Sequence, residues 1–122
     1  MTEELKITKM GKLRIYMTTG ESIQSKNLLR RFFPKTKYLK IMEEAKVFGI
    51  MNAHVFHTHA AVQKGGKITQ HSIEGDTSGL TVCLELVDEK VKLQSFFITH
   101  KDILKENTVI YKEVEFWEYP QL

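Results

Sequence analysis

A single cysteine, Cys83, leaves this chain no internal disulfide and fits a reducing compartment. No apolar run approaches the roughly 20 residues that would cross a bilayer, and residues 1–11 are mixed and charged, with no hydrophobic signal core. The cytoplasm is therefore the expected location, without direct membrane insertion. No charge of one sign dominates: 18 Lys and Arg stand against 15 acidic residues, for a net charge of +3. That balance lacks the basic excess of many nucleic-acid-binding domains, so no nucleic-acid partner is expected. Neither an internal repeat nor a low-complexity tract is present. A catalytic constellation is missing too. Ser72, Thr77 and Ser78 have no recognisable base partner, and no two carboxylates are spaced as an acid/base couple. A non-enzymatic role follows as the expectation.

What is present is enough, at 122 residues, for one domain with a modest core. Lys12–Thr18 alternates, with Leu13, Ile15 and Met17 on one side and Arg14, Tyr16 and Thr18 on the other, the pattern of a half-buried strand. Ser22–Phe33 reads as a short amphipathic helix or an ordered insertion, stopped by Pro34. In Lys37–Phe48, Tyr38, Ile41, Met42, Ala45 and Phe48 recur at helical spacing, and Gly49 stands where a left-handed cap falls. Met51–His59 and Leu80–Val87 are strands, the second with Leu80, Val82, Leu84 and Leu86 on one face. Asp88 is placed to cap a helix carrying Leu93, Phe96, Phe97, His100, Ile103 and Leu104, ending near Asn107. Thr108–Trp117 closes the domain, with Ile110, Val114 and Phe116 expected in the core.

The resulting order predicts an α+β, ferredoxin-like βαββαβ fold: a four-stranded antiparallel sheet covered on one face by two helices. The whole of 1–122 is one domain, with a flexible N-terminus over 1–11, an insertion over 21–35 and a long mobile loop over 60–79. The bare sheet face, expected to hold Arg14, Tyr16, Thr81, Cys83, Glu85, Tyr111, Glu113 and Trp117, is polar and aromatic together. Such a face is expected to pack against copies of the same chain. Cys83 reads as a small packing residue, and His100 as a satisfied core or interface histidine.

The loop carries the chemistry. Gln63, Lys64, Gly65, Gly66 and Lys67, followed by Gln70 and His71, combine approachable backbone amides with two ammonium groups, which suits a small anion. It is no Walker motif, because the spacing and the terminal Ser or Thr are absent. A solvated turn is the plainer reading of the same residues. His54, His57, His59 and His71 are clustered. On a strand His57 and His59 share a face, and with a third ligand they could hold Zn, Cu or Ni; ordinary strand histidines are the simpler alternative. Arg30-Arg31-Phe32-Phe33 with Lys35 and Lys37 forms the strongest basic patch, best read as an amphipathic element with its charges in water.

Five phrases then resemble one family: Lys12–Tyr16, Ile41–Ile50, Ala53–Phe56, Gly79–Asp88 and Val109–Tyr119. They are similar to the PII-like proteins catalogued as domain of unknown function number one hundred and ninety. The resemblance implies a homotrimer that binds an adenine nucleotide or a similar anionic metabolite between subunits, with no cofactor required. It also implies signalling through the long loop to a partner, a membrane transporter or an enzyme. The loop base Gln63–Lys67 matches the region where PII-like proteins hold phosphate. Histidines stand where the family places an arginine after the second strand, and Leu104–Thr108 lacks the glycine-rich phosphate loop of true PII proteins. A second reading is a metal-binding ferredoxin-like trimer that handles divalent cations through His57 and His59.

Overall fold

A computed structural model describes residues 4–18, 22–23, 35–58, 60–61, 69–70 and 81–121. The elements run β1 (Lys6–Thr18), β2 (Ser22–Ile23), β3 (Lys35–Thr36), α1 (Lys37–Phe48), β4 (Asn52–His57), β5 (Ala60–Ala61), β6 (Thr69–Gln70), β7 (Thr81–Asp88), α2 (Lys90–Thr99), α3 (Lys101–Leu104) and β8 (Thr108–Glu118). The four long strands form one sheet in the order β4-β7-β1-β8, with every neighbouring pair antiparallel. This is the expected ferredoxin-like arrangement. Two short pairs decorate it: β2 with β3, at the two ends of the 21–35 insertion, and β5 with β6 within the long loop. Residues 24–34, including the Arg30–Phe33 patch, lie outside the described residues.

Alternation sorts each strand between two faces. Leu13, Ile15 and Met17 of β1 and Val82, Leu84 and Leu86 of β7 are buried on the helix side. They meet Ile41 and Ala45 of α1, Leu93 and Phe96 of α2, and Leu104 of α3. Phe96, Ile15, Ile41, Leu84 and Leu86 have no exposed surface, so each contributes about 1.5–3 kcal/mol of burial. The ring of Phe96 meets that of Phe48 edge-on at 5.5 Å, locking the two helices together over the sheet.

The α1 terminus follows its sequence. Gly49 adopts φ 84°, its N–H reaches the Lys46 carbonyl at 3.1 Å, and the Ile50 N–H reaches that of Ala45 at 2.9 Å. This pair of hydrogen bonds is the Schellman closure, and it turns the chain straight into β4. Asp88 behaves differently from its expected role as a cap. It is 5% exposed; one carboxylate oxygen accepts from the Glu89 N–H at 2.7 Å and the other from the Met51 N–H at 2.9 Å. Glu89, not Asp88, occupies the cap position. Asp88 thus ties the entrance of β4 to the entrance of α2, with Lys92 at 3.7 Å supplying countercharge.

Two boundaries and the facing of one strand depart from the sequence expectation. β1 starts at Lys6, so residues 6–11 of the segment expected to be flexible are a paired strand, held by Ile7 opposite Trp117 and Met10 opposite Val114. The second long helix breaks at His100 and resumes as α3. There the ring Nδ1–H donates to the Phe96 carbonyl at 2.8 Å and Nε2 faces the Glu44 carboxylate at 3.4 Å. Last, Ile110, Val114 and Phe116 lie opposite Arg14, Met10 and Thr8, on the face away from the helices, while Val109 and Tyr111 pack on the core. Apolar residues on both faces of β8 hide its parity, and a one-residue slip exchanges the faces. Gly11 decides it: a Cβ there would lie 2.6 Å from Tyr111 Cε2, so only glycine leaves room for the tyrosine ring.

Two outcomes are expected. Gly11→Ala should cost about 1–3 kcal/mol by overpacking against Tyr111 and Leu93, seen as a lower denaturation midpoint at unchanged slope; an unaltered midpoint would refute this packing. The Glu44 carboxylate is held below its ordinary value of 4.5 by its bond to Lys40 at 2.9 Å, and by His100. A depressed folded value stabilises above the ordinary one and is lost as pH falls through the folded one. Wild type should therefore melt above Glu44→Gln near neutrality, with the gap closing at acid pH.

Candidate functional site

The bare face of the sheet forms rows that run across the four strands. One row is Phe56, Cys83, Tyr16 and Thr108; the next is His54, Glu85, Arg14 and Ile110; the third is Asn52, Val87, Lys12 and Lys112. Of the residues expected there, Arg14, Tyr16, Thr81, Cys83 and Glu85 are in place. Tyr111, Glu113 and Trp117 are not, because β8 has the opposite parity, and Ile110, Lys112, Val114 and Phe116 take their positions.

Glu85 organises the centre of this face. One carboxylate oxygen meets Lys12 Nζ at 3.3 Å and the other accepts from Arg14 Nε at 3.1 Å. Hydrogen bonds from Arg14 to Glu85 and to Tyr16 raise the guanidinium above its already high range. Lys112, directly opposite Lys12, has no ion pair among the described residues. Cys83 lies beneath this cluster, 8% exposed. Burial pushes its thiol up, and a hydrogen bond with Tyr16 pulls against that shift. A protonated, buried thiol is a packing group, not a nucleophile.

The long loop is pinched at its root. The Thr58 N–H and hydroxyl both donate to the Thr81 carbonyl, each at 3.0 Å, so residues 59–80 leave and rejoin the sheet at one point. Within that span Ala60 pairs with Gln70 and Ala61 with Thr69. Gln70 is therefore placed on a short strand. In chain order Gln63, Lys64, Gly65, Gly66 and Lys67 fall between β5 and β6, and with His71 and His59 they lie outside the described residues. The same end of the sheet carries Thr18, paired with Thr81, and the Asn107 side chain, which donates to the Tyr16 carbonyl at 3.1 Å. The 21–35 insertion departs from this end as well.

His57 sits on the helix side of β4, edge-on to the Tyr38 ring at 6.2 Å, while His54 lies on the bare face beside Phe56. Among the described residues no three His, Cys, Asp or Glu side chains gather as metal ligands. A cleft of about 730 Å³ lies at the projecting β1/β8 ribbon, lined by Lys9, Lys90, Tyr111, Glu113, Glu115 and Trp117. Its two lysines are matched by two glutamates, so its charge is balanced where that of the bare face is not. Among the described residues, no helix is long and apolar enough to cross a membrane.

This fold is that of the PII-like proteins. The structure of CPII from Thiomonas intermedia K12 bound to ADP and bicarbonate superposes with a TM-score of 0.56 at 6% identity, covering 94% of this chain and 93% of that one. The apo form of CPII, a nitrogen regulatory PII-like protein from the same organism, gives 0.55 at 7% identity over 94% and 99%. Identities so low speak to the fold alone. By sequence the chain belongs to the DUF190 family, "Uncharacterized ACR, COG1993", whose model matches residues 10–116. A UPF0166 protein of Aquifex aeolicus (strain VF5) is 33% identical over 92 residues, spanning 75% of this chain and 79% of that protein.

Neither the Lys12–Glu85–Arg14 clamp nor the Lys12–Lys112 pair has a signature in the local sequence. The alternation of β1 and β7 was visible, but the register that makes 12, 14 and 85 neighbours was not. If Cys83 is as enclosed as the packing shows, a thiol-alkylating reagent at mildly alkaline pH should modify the native chain far more slowly than the chain in denaturant. Equal rates would contradict the burial.

Proposed function

We propose that this protein is a non-enzymatic PII-like regulator, assembled as a homotrimer through the bare sheet face. It binds an adenine nucleotide or a comparable anionic metabolite between subunits. The ligand is held at the loop base by Gln63, Lys64, Gly65, Gly66, Lys67, Gln70 and His71. Glycine amides donate to phosphate oxygens, and the two lysines supply point charge.

The observation that carries this reading is the Thr58–Thr81 pinch on a PII-like fold. On this proposal the loop held at that root takes more than one state, and a ligand that prefers one of them shifts the population by its differential affinity. The loop then presents a changed surface to a partner, a membrane transporter or an enzyme. The ADP and bicarbonate bound to CPII support the ligand class. Family membership over residues 10–116 supports carrying the reading across nearly the whole chain. The expected setting is the cytoplasm.

Isothermal titration calorimetry against ATP, ADP, AMP and cyclic nucleotides tests it directly. At least one should bind at or below millimolar concentration. Replacing Lys64 and Lys67 together by Ala should weaken that binding by about 10- to 100-fold, the scale of one or two charge-assisted hydrogen bonds. Silence from the whole panel would remove the nucleotide, and undiminished binding by the double variant would move the site elsewhere.

A further inference from the structure

We propose that the bare sheet face carries an oxyanion site centred on Lys12 and Lys112, filled where copies of the chain bring these faces together. The inference rests on the homotrimer reading above and adds a second ligand at a place remote from the loop. Its starting point is an electrostatic conflict. Lys12 and Lys112 are direct cross-strand neighbours on one face, and like charges so placed repel. The carboxylate within reach is Glu85, and both its oxygens are engaged: one by Lys12 at 3.3 Å, the other by Arg14 at 3.1 Å. Three cations, Lys12, Arg14 and Lys112, thus face one carboxylate, leaving two positive charges per chain unbalanced. His54, on the far side of Glu85, adds no negative charge.

In a lone chain water solves this problem. Lys112 is exposed, and Ile110 and Phe56 at the edges of the face are about half exposed. Bringing copies together over Met10, Cys83 and Val87, which are already buried, and over Ile110 and Phe56 removes that water. The unbalanced charge then multiplies with each copy, in surroundings where screening is weak. A multivalent anion resolves the conflict. The ammonium groups of Lys12 and Lys112 attract it as point charges. Arg14 gives Nε to Glu85 and a further hydrogen bond to Tyr16, and the five N–H groups of its guanidinium leave donors over for an anion. The chemistry fits a small tetrahedral oxyanion such as phosphate. Here it acts as a structural counterion between copies, with no bond made or broken.

The test uses the full chain exchanged into phosphate-free buffer. Inorganic phosphate is titrated against sodium chloride of matched ionic strength, with thermal unfolding and light scattering read together. Wild type should melt several degrees higher in phosphate and shift toward the trimer, while chloride alone should do neither. Lys112→Met, a change at an exposed position, should assemble without phosphate and lose the phosphate response. Wild type that is fully trimeric without phosphate and indifferent to it would overturn this inference and leave the assembly reading standing. So would a Lys112→Met response equal to that of wild type. A chain that stays monomeric at every phosphate concentration would overturn both, whereas nucleotide calorimetry reports on the loop independently.

Discussion

The parity of β1 is the constraint on which the rest of this molecule depends. β1 is flanked on both sides, by β7 and β8, and its register with each is continuous. Its odd positions from Gly11 to Met17 therefore face the helices and its even positions face away. A slip of one residue would carry Lys12 and Arg14 under α1 and α2 and turn Leu13 and Ile15 to the bare face. Desolvating two cations would cost far more than any loop rearrangement could return. That single choice fixes the apolar core on one side and the Lys12–Glu85–Arg14 clamp on the other.

Gly11 extends this choice to β8. It is the position in the odd row that lacks a side chain, and Tyr111 fills the space above it. A tyrosine packed over a glycine selects a register where apolar periodicity alone does not. Val109, Ile110 and Tyr111 are consecutive, so every parity of β8 offers the core something apolar. Apolar periodicity alone puts Ile110, Val114 and Phe116 inward, whereas the fit of Tyr111 over Gly11 goes with Val109 and Tyr111 on the core side. By contrast β7 was legible, because Val82, Leu84 and Leu86 alternate with Cys83 and Glu85 and leave no competing parity. Gly49 was legible too, since a positive φ after an amphipathic run has few other uses.

The side-chain contacts around the loop root and the bare face have no counterpart in the local sequence. The anion proposed for Lys64-Gly65-Gly66-Lys67 rests on composition, whereas the contact of Thr58 with Thr81 joins two ordinary threonines whose partnership depends on the β4–β7 register. Glu85 was likewise one more acidic residue on a strand until Lys12 and Arg14 were brought to its two oxygens. Contacts between strands far apart in sequence carry no local signature, so the clamp and the pinch were beyond reach. Asp88 shows the same limit. Its position before a helix predicts a cap, yet its second oxygen serves the Met51 amide, reached only when β4 lies beside β7.

The pinch and the clamp share one strand. Thr81, the root of the loop, is two residues from Cys83 and four from Glu85, all on the bare face of β7, and Thr18 and Tyr16 accompany them on β1. Because β7 is buried on both faces along most of its length, it cannot flex locally without disturbing the core. A change in the loop therefore reaches the bare face as a displacement of the whole of β7 against β4 and β1 or does not reach it at all. The stiffness of β7 thus separates the root of the loop from the bare face, so that under the function proposed above a ligand at the loop would leave the face of the sheet unchanged.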